Sequence, residues 1–365
     1  MAELKEIRIK INEVDSKMAK LFEERMELAK EVANYKIKNA LPIEDSVREK
    51  QVIDNNVKLI ENEEYKPYYI DFMNQTMNIS KKYQSKLIEG MKVAYCGVEG
   101  AFSQIASRRV FEKSNLLPFG SFVDAYNAVL KGYCDACVLP IENSFAGEVG
   151  TVMDLIFSGQ LYINHVVDVD IVHNLLAKKG VKLEDIKTVA SHPQALAQCQ
   201  KYILSNKFNT VEYQNTAIAA LDLANSNDMH SGVIASEEVA KLYDLEIVKS
   251  NINESRNNTT RFAVFSKTLT ETDKNIKVGQ HFILVFTVIN EAGALAKALN
   301  IIGSYNFNMR TLRSRPMKEL MWNYYFFVEA DGNINSEDGQ DMLKALNSVC
   351  DRLKVVGSYY SFKER

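Results

Sequence analysis

The sequence predicts a multidomain protein built from three consecutive segments of different class: an all-α segment over residues 1–90, a two-lobed α/β segment over 91–267, and an α+β ferredoxin-like sandwich over 275–365. Three observations carry this reading. An apolar heptad seam runs from Ile7 to Tyr35 with no glycine or proline to break it. Between 91 and 267, short apolar runs alternate with helix-opening turns. Beyond 275 the elements read in the order βαββαβ. At 365 residues the chain also exceeds one ordinary core.

Composition excludes several classes of function. With 46% hydrophobic and 25% charged residues and a net charge of -3, the chain has no basic field, and no Lys/Arg cluster is interleaved with aromatics. Nucleic acid is therefore not an expected partner. The N-terminal Met1-Ala2-Glu3-Leu4-Lys5 lacks an apolar core and no run of 18 apolar residues occurs, so neither export nor a membrane is expected. Five scattered cysteines suit a reducing, cytoplasmic setting. Cys134 and Cys137 stand at metal-ligand spacing, but no second pair follows and Val138-Leu139 is apolar, which favours a buried structural role.

In the helical segment the seam is Ile7, Ile11, Val14, Met18, Leu21, Leu28, Val32 and Tyr35, with Arg25 standing where an apolar residue belongs. Over Lys5 to Lys38 this predicts one helix of about 50 Å. A helix that long needs a partner, most simply a second copy of itself. A guanidinium in the seam must find an anion, because an unpaired buried charge is costly. Lys36 lies about three turns beyond Arg25 on the same face, roughly 16 Å away, leaving room for a small dianion. Arg8, roughly 25 Å off on another face, can contribute only from a second chain. After Pro42, Asp45, Arg48 and Glu49 share a face of a second helix. A third helix after Pro67 carries Ile70, Met73, Met77 and Leu87, with Ser80 and Gln84 polar in its seam. Spacing alone leaves open a dimerisation module whose polar seam residues set register.

These positions resemble the all-helical chorismate mutases, over essentially all of residues 4–90. Arg8, Arg25, Lys36, Asp45, Arg48, Glu49, Ser80 and Gln84 match that family's active-site set in type and order. The resemblance implies that Arg8, Arg25, Arg48 and Lys36 hold the two carboxylates and ether oxygen of chorismate, while Glu49 and Gln84 orient the hydroxyl and ether. Asp45 and Ser80 complete the set. A pericyclic rearrangement needs no nucleophile. It needs a compact conformer and donors aimed at the developing ether-oxygen charge.

The α/β segment opens with an apolar strand, Met91 to Cys96, and a glycine turn, Gly97-x-x-Gly100-Ala101-Phe102-Ser103, leading into a helix. No Lys-Ser/Thr follows these glycines, and no G-x-G-x-x-G occurs anywhere, so nucleotide and nicotinamide sites lack their usual marks. Asp135 to Leu139 reads as the next strand, delivering Pro140-Ile141-Glu142-Asn143-Ser144 at a sheet edge. Strand-like runs follow at 161–167 and 169–177. Ser191 is the expected cap of a helix starting at Pro193, and His192 is expected to cap or support rather than transfer protons. Thr216 opens another helix, and Gly232 to Ser236 forms a strand. This alternation predicts a mainly parallel sheet covered on both faces, formed twice over. The stretch Asn257-Asn258-Thr259-Thr260-Arg261-Phe262 reads as a polar loop entering an apolar strand, able to meet an anion and hydrogen-bond a leaving oxygen.

Four of these stretches, the glycine turn, Pro140 to Ser144, Ser191 to Gln194 and Thr260-Arg261-Phe262, resemble the motifs of prephenate dehydratases in the same order over about 175 residues. Val98 departs from the proline usual after the first glycine, a change in loop stiffness. The resemblance implies a fold like the periplasmic binding proteins, with substrate between two lobes. It further implies that Thr260 hydrogen-bonds or protonates the departing hydroxyl and that Arg261 helps hold a carboxylate. Asn143, Ser144 and Thr216 would line the cleft, with Glu142 as an acid or orienting group. Prephenate loses carbon dioxide and hydroxide and becomes aromatic, so the enzyme must bind two carboxylates, assist the hydroxyl and exclude water.

The last segment reads as a strand at Phe282 to Ile289, a helix at Gly293 to Ser304, strands near 307–315 and 321–329, a helix from Glu337 to Val349 and a strand near 354–359. A dimerisation module would look the same. It resembles an ACT domain, with Gly293-Ala294-Leu295 as the first effector motif and Ser314-Arg315-Pro316 as most of the second. Arg313 stands where that motif usually begins with glutamate. The resemblance implies feedback by phenylalanine.

Taken together, the chain resembles the bifunctional chorismate mutase/prephenate dehydratases with a C-terminal ACT domain. This implies a chorismate mutase domain at 1–90, a prephenate dehydratase domain at 91–267 and a regulatory domain at 275–365. It also implies a homodimer or larger homo-oligomer that uses neither cofactor nor metal. A non-catalytic ligand sensor is opposed by the complete polar set in the helical seam. A mutase joined to a dehydrogenase is opposed by the missing dinucleotide fingerprint.

Overall fold

The computed structural model describes residues 2–39, 41–88, 90–255, 257–270, 279–317 and 324–360. The chain divides into two compact units, one of residues 1–91 with 113–115 and one of the remainder.

The helical unit holds α1 (Ala2–Asn39), α2 (Ser46–Asn56) and α3 (Lys66–Ile88). Asp45 starts α2 by accepting the Arg48 amide at 2.9 Å. Where α1 meets α3, Ala29 and Ala33 are buried, their small side chains letting the helices approach closely. Opposite them α3 buries Met73, Thr76, Met77, Ser80, Gln84 and Ile88. The rest of the seam stays uncovered: Ile7, Ile11, Val14, Met18 and Leu21 are 44 to 64% exposed.

The second unit opens with a lobe of β1 (Lys92–Cys96), α4 (Phe102–Val110), β2 (Asn115–Phe119), α5 (Phe122–Leu130), β3 (Ala136–Asn143), β4 (Gly147–Glu148), α6 (Gly150–Ser158) and β5 (Tyr162–Asp170). A second lobe follows with β6 (Asn174–Ala177), β7 (Thr188–Ser191), α7 (Pro193–Gln198), α8 (Gln200–Ser205), β8 (Asn209–Glu212), α9 (Thr216–Asn225), β9 (Ser231–Ala235), α10 (Glu237–Leu242) and β10 (Glu246–Lys249). The chain then returns as β11 (Thr259–Ser266), which inserts between β5 and β3 and runs antiparallel to both. The sheets are therefore mixed, not mainly parallel. Pairs β1–β3, β7–β8 and β7–β9 are parallel, but the strands flanking each crossing between lobes run against their neighbours.

The remaining elements are β12 (Gln280–Thr287), α11 (Ala294–Ser304), β13 (Met309–Pro316), β14 (Tyr324–Asp331), α12 (Glu337–Asn347) and β15 (Arg352–Tyr360), the βαββαβ order expected. Residues 275–278, 318–323 and 361–365 of the expected segment, including 321–323 of its expected third strand, lie outside the described residues. This sandwich is not a separate compact unit. Its strands alternate between two cores: Phe282, Leu284 and Phe286 pack with residues of α11 and α12, while Ile283, Val285, Tyr325 and Phe327 join Leu139, Ile163 and Phe265 of the first lobe. Phe157 of α6 stacks on Tyr325 with centroids 4.1 Å apart.

Candidate active sites

In the helical unit seven of the eight expected residues surround one cavity of about 310 Å³: Arg25, Lys36, Asp45, Arg48, Glu49, Ser80 and Gln84. Arg25 donates to the Ser80 hydroxyl and approaches the Thr76 carbonyl at 3.5 Å. Lys36 donates to the Ile43 carbonyl, and burial draws its pKa below the ordinary lysine value against the pull of Asp45 and Glu49. Gln84 is buried, and its Oε1 has no partner among the described residues. Arg8 is exposed and is not among the cavity's residues. Lys81, missed in the sequence, pairs with Glu49 at 3.1 Å. It sits one residue off the seam row on which the periodicity fixed attention. Four cations, Arg25, Lys36, Arg48 and Lys81, and a buried amide around one small cavity suit a compact dianion with a polar ether.

In the second unit a cleft of about 450 Å³ lies between the lobes, lined among others by Gly97, Phe102, Asn143, His173, His192, Gln198, Thr216 and Thr260. Gly97 and Gly100 adopt φ of 112° and 87°, which the turn before α4 requires. Asn143 and Thr260 are opposite each other across β3 and β11, and both are buried. The Asn143 amide is oriented by two backbone N–H groups, Phe145 at 3.0 Å and Ala146 at 2.9 Å, which donate to its Oδ1. Its Nδ2 must then donate to Asn258 Oδ1 at 2.8 Å and Thr260 Oγ1 at 2.9 Å. Asn258 in turn donates to Gln198 Oε1 at 3.0 Å, the same oxygen that meets His173 Nε2 at 2.9 Å. This chain has one consistent polarity. His173 carries its proton on Nε2, and its buried Nδ1 has no partner among the described residues. Burial lowers the His173 pKa, keeping the ring neutral. At the other end Thr260 Oγ1 accepts a hydrogen bond and its own O–H meets no acceptor among the described residues, so it can donate into the cleft it lines.

Thr216 lines the cleft at the start of α9, which Asn215 caps by accepting the Ala217 amide at 2.7 Å. His192 caps α7, its Nδ1 accepting the Gln194 amide at 3.2 Å, and it also reaches the cleft. Ser191 is not the cap: its hydroxyl donates to the Ile234 carbonyl at 2.6 Å. Three expected cleft residues point elsewhere. Ser144 donates to Asn257 O at 2.7 Å and accepts from Thr259 N at 2.9 Å, tying down the loop before β11. Glu142 and Arg261 are cross-strand partners one residue from Asn143 and Thr260, so the two-residue repeat of a strand turns them to the opposite face. There Arg261 forms a two-pronged ion pair with Glu329 at 2.8 and 2.9 Å, and Glu142 pairs with Arg313. Neither side chain is positioned to hold a carboxylate or move a proton in the cleft. His173 and Gln198 were not singled out in the sequence, because an amide and a lone histidine carry no spacing signal, and Phe102 and Asn258 stood only within longer motif stretches with no role of their own.

Of the expected effector residues, Gly293 adopts φ of 84° at the start of α11, followed by Ala294 and Leu295. Along β13, Arg313 and Arg315 are half-buried on one side while Ser314 and Pro316 are exposed on the other. Arg315 binds Glu148 at 2.6 Å and Asp154 at 3.1 Å in the first lobe, so its charge is spent there. Arg313, where a glutamate was expected, complements Glu142. Cys134 and Cys137 are buried free thiols whose pKa values burial raises.

Residues 7–85 match the family of type II chorismate mutases, and residues 93–269 match that of the prephenate dehydratases. The chain is 30% identical to a bifunctional chorismate mutase/prephenate dehydratase of Buchnera aphidicola, covering 98% of this chain and 96% of that one. It is 31% identical to the bifunctional enzyme of Aquifex aeolicus, covering 98% of each. A prephenate dehydratase structure from Arthrobacter aurescens in complex with L-Phe superposes with a TM-score of 0.68 at 26% identity, over 74% of this chain and 90% of that chain. Each matched stretch holds one of the two cavities, and the likeness to full-length relatives spans both: the chain belongs to the bifunctional chorismate mutase/prephenate dehydratases and carries both activities.

Proposed function

We propose that Thr260 is the hydrogen-bond donor to the departing ring hydroxyl of prephenate, that the mutase site is completed by Arg8 of a second copy, and that L-phenylalanine regulates the dehydratase through an ACT-type C-terminal sandwich. The observation that carries the first point is the Asn143 amide, which occupies the acceptor side of the Thr260 hydroxyl and leaves its O–H to the ligand. Loss of carbon dioxide and hydroxide from the prephenate dianion takes up one proton to release water. A threonine hydroxyl is a weak acid, so Thr260 steadies the leaving oxygen while solvent supplies that proton. Thr216 and the cleft-facing turn at Gly97 line the substrate's surroundings.

In the mutase cavity, Arg25, Arg48 and Lys36 bind the carboxylates and ether oxygen of chorismate. Gln84 and Glu49 orient the ether and hydroxyl, and Asp45 and Ser80 hold the frame. The uncovered row from Ile7 to Leu21 supports a homodimer or larger homo-oligomer, because it buries an apolar stripe and carries Arg8 to another copy's cavity. The regulatory reading is supported by the βαββαβ fold, by left-handed Gly293 before Ala294 and Leu295, and by the L-Phe bound to the Arthrobacter relative. With Arg315 engaged by Glu148 and Asp154, exposed Ser314 is the polar side chain the second motif offers the effector. Five unpaired thiols support a cytoplasmic setting.

The test is phenylpyruvate formation from chorismate by purified protein without added cofactor, in wild type and Thr260→Ala. Wild type should form phenylpyruvate, whereas the variant should accumulate prephenate. A variant that makes phenylpyruvate at the wild-type rate removes Thr260 from the reaction.

A further inference from the structure

We infer that Glu329, on the C-terminal sandwich, is a positioning residue of the dehydratase, acting through Arg261 on Thr260. This rests on the assignment of Thr260 as the donor. Two adjacent rungs of one ladder join the cleft to the sandwich. Thr260 and Asn143 form the rung facing the cleft, and Arg261 and Glu142 form the next rung, facing the sandwich. Whatever holds the second rung sets the first, because one peptide unit joins them.

The second rung is held from across the layer. Glu329 is 1% exposed and takes both Arg261 guanidinium nitrogens, at 2.8 and 2.9 Å. The Tyr359 hydroxyl donates to Glu329 and accepts from Arg261 at 3.2 Å, while Asp168 lies 3.5 Å from the Arg261 Nε. Glu142 is secured in the same way by Arg313. Beside this clamp the backbone ladder is irregular: β11 shifts register against β3 between Arg261 and Phe262. A bulge re-aims the side chains next to it and leaves their position less determined by the ladder. The two-pronged pair supplies a fixed point where the ladder does not. Cohesion between the layers has its own source in the apolar contacts of Ile283, Val285, Tyr325 and Phe327, and a buried ion pair is a poor stabiliser beside them.

The experiment uses the full chain, with mutase turnover of chorismate as an internal control. Glu329→Gln keeps the shape and removes the charge. Dehydratase kcat should fall about 10- to 100-fold, the scale of a displacement near 1 Å at the reacting group, with KM within about threefold and mutase turnover unchanged. In a Thr260→Ala background the same substitution should cost nothing further, because its effect passes through that hydroxyl. Unchanged kcat in Glu329→Gln, or an equal added loss in the Thr260→Ala background, overturns the inference. If Glu329→Gln fails to fold, Arg261→Lys keeps the charge and loses the second prong, and it should show the same kcat loss; wild-type kcat in that variant overturns the inference equally. Full dehydratase activity in Thr260→Ala alone is a separate result. It sinks the assignment of the donor, whereas a dead Thr260→Ala beside a fully active Glu329→Gln sinks only the clamp.

Discussion

Asn143→Asp tests the polarity of the cleft network directly. The substitution is isosteric and keeps an oxygen for the Phe145 and Ala146 amides at 3.0 and 2.9 Å. It removes both donors that Nδ2 provides, to Asn258 at 2.8 Å and to Thr260 at 2.9 Å. The Thr260 O–H then has a carboxylate beside it and turns toward it, away from the leaving oxygen. Loss of one positioned donor of this kind costs roughly 10²- to 10³-fold in kcat. The carboxylate also faces Asn258 Oδ1, a contact of two acceptors costing about 1–3 kcal/mol unless the Asn258 amide turns over. If it does, Gln198 must turn as well, and His173 must move its proton from Nε2 to Nδ1. Dehydratase kcat on prephenate and the imidazole nitrogen shifts of histidine-labelled protein read the two ends of the chain. Turnover within about threefold of wild type, with the His173 proton still on Nε2, would refute the reasoning.

Other consequences can be measured on the same protein. Arg25→Ala should lower mutase turnover by at least about 100-fold and spare the dehydratase, since the charges around that cavity are not shared with the cleft. Mixing inactive Arg8→Ala and Arg25→Ala chains at equal amounts should restore about a quarter of wild-type mutase activity, because half the pairs are mixed and each mixed dimer has one intact site; no recovery would show that Arg8 does not cross between copies. Burial holds the Lys36 pKa below the ordinary 10.5, and the substrate dianion needs the protonated amine. Mutase kcat/KM should therefore fall as pH rises through that lowered value, and Lys36→Arg, which keeps its proton, should remove this limb from the profile. Gly293→Ala puts a Cβ at a φ of 84°, a strain of about 1–2 kcal/mol, and should raise the L-phenylalanine concentration giving half-inhibition of the dehydratase.

The helical site was legible in the sequence because polar residues interrupting an apolar seam stand out against its period. Arg25, Ser80 and Gln84 each break a row that would otherwise be apolar, and all three line the cavity. Lys81 was invisible to that reasoning because it lies beside the row, where a lysine looks like solvated surface. In the cleft the motifs located Asn143, Thr216 and Thr260, but Gln198 of α7 was not legible, and Asn258 was visible only as part of a polar loop without a role of its own. Gln198 and Asn258 matter only through partners brought close by the fold, and no spacing records that.

The placing of Glu142 and Arg261 in the cleft is a different kind of error, because the sequence held the means to avoid it. Once Thr260 is put on a strand facing the ligand, its neighbour must face away, and the same holds for Asn143 and Glu142. A motif triplet is easily read as three residues with one task. Strand geometry divides it into two surfaces, one for chemistry and one for whatever covers the sheet's back. Arg261 and Glu142 stand 4.0 Å apart on that back, and each takes a nearer counter-charge from the covering layer. Arg313, read as a defect in an effector motif, is one of those counter-charges, and Glu329 is the other. The C-terminal sandwich is thus matched in charge to the back of the Thr260–Asn143 ladder, with Glu329 and Arg313 set against the strands that carry those two residues.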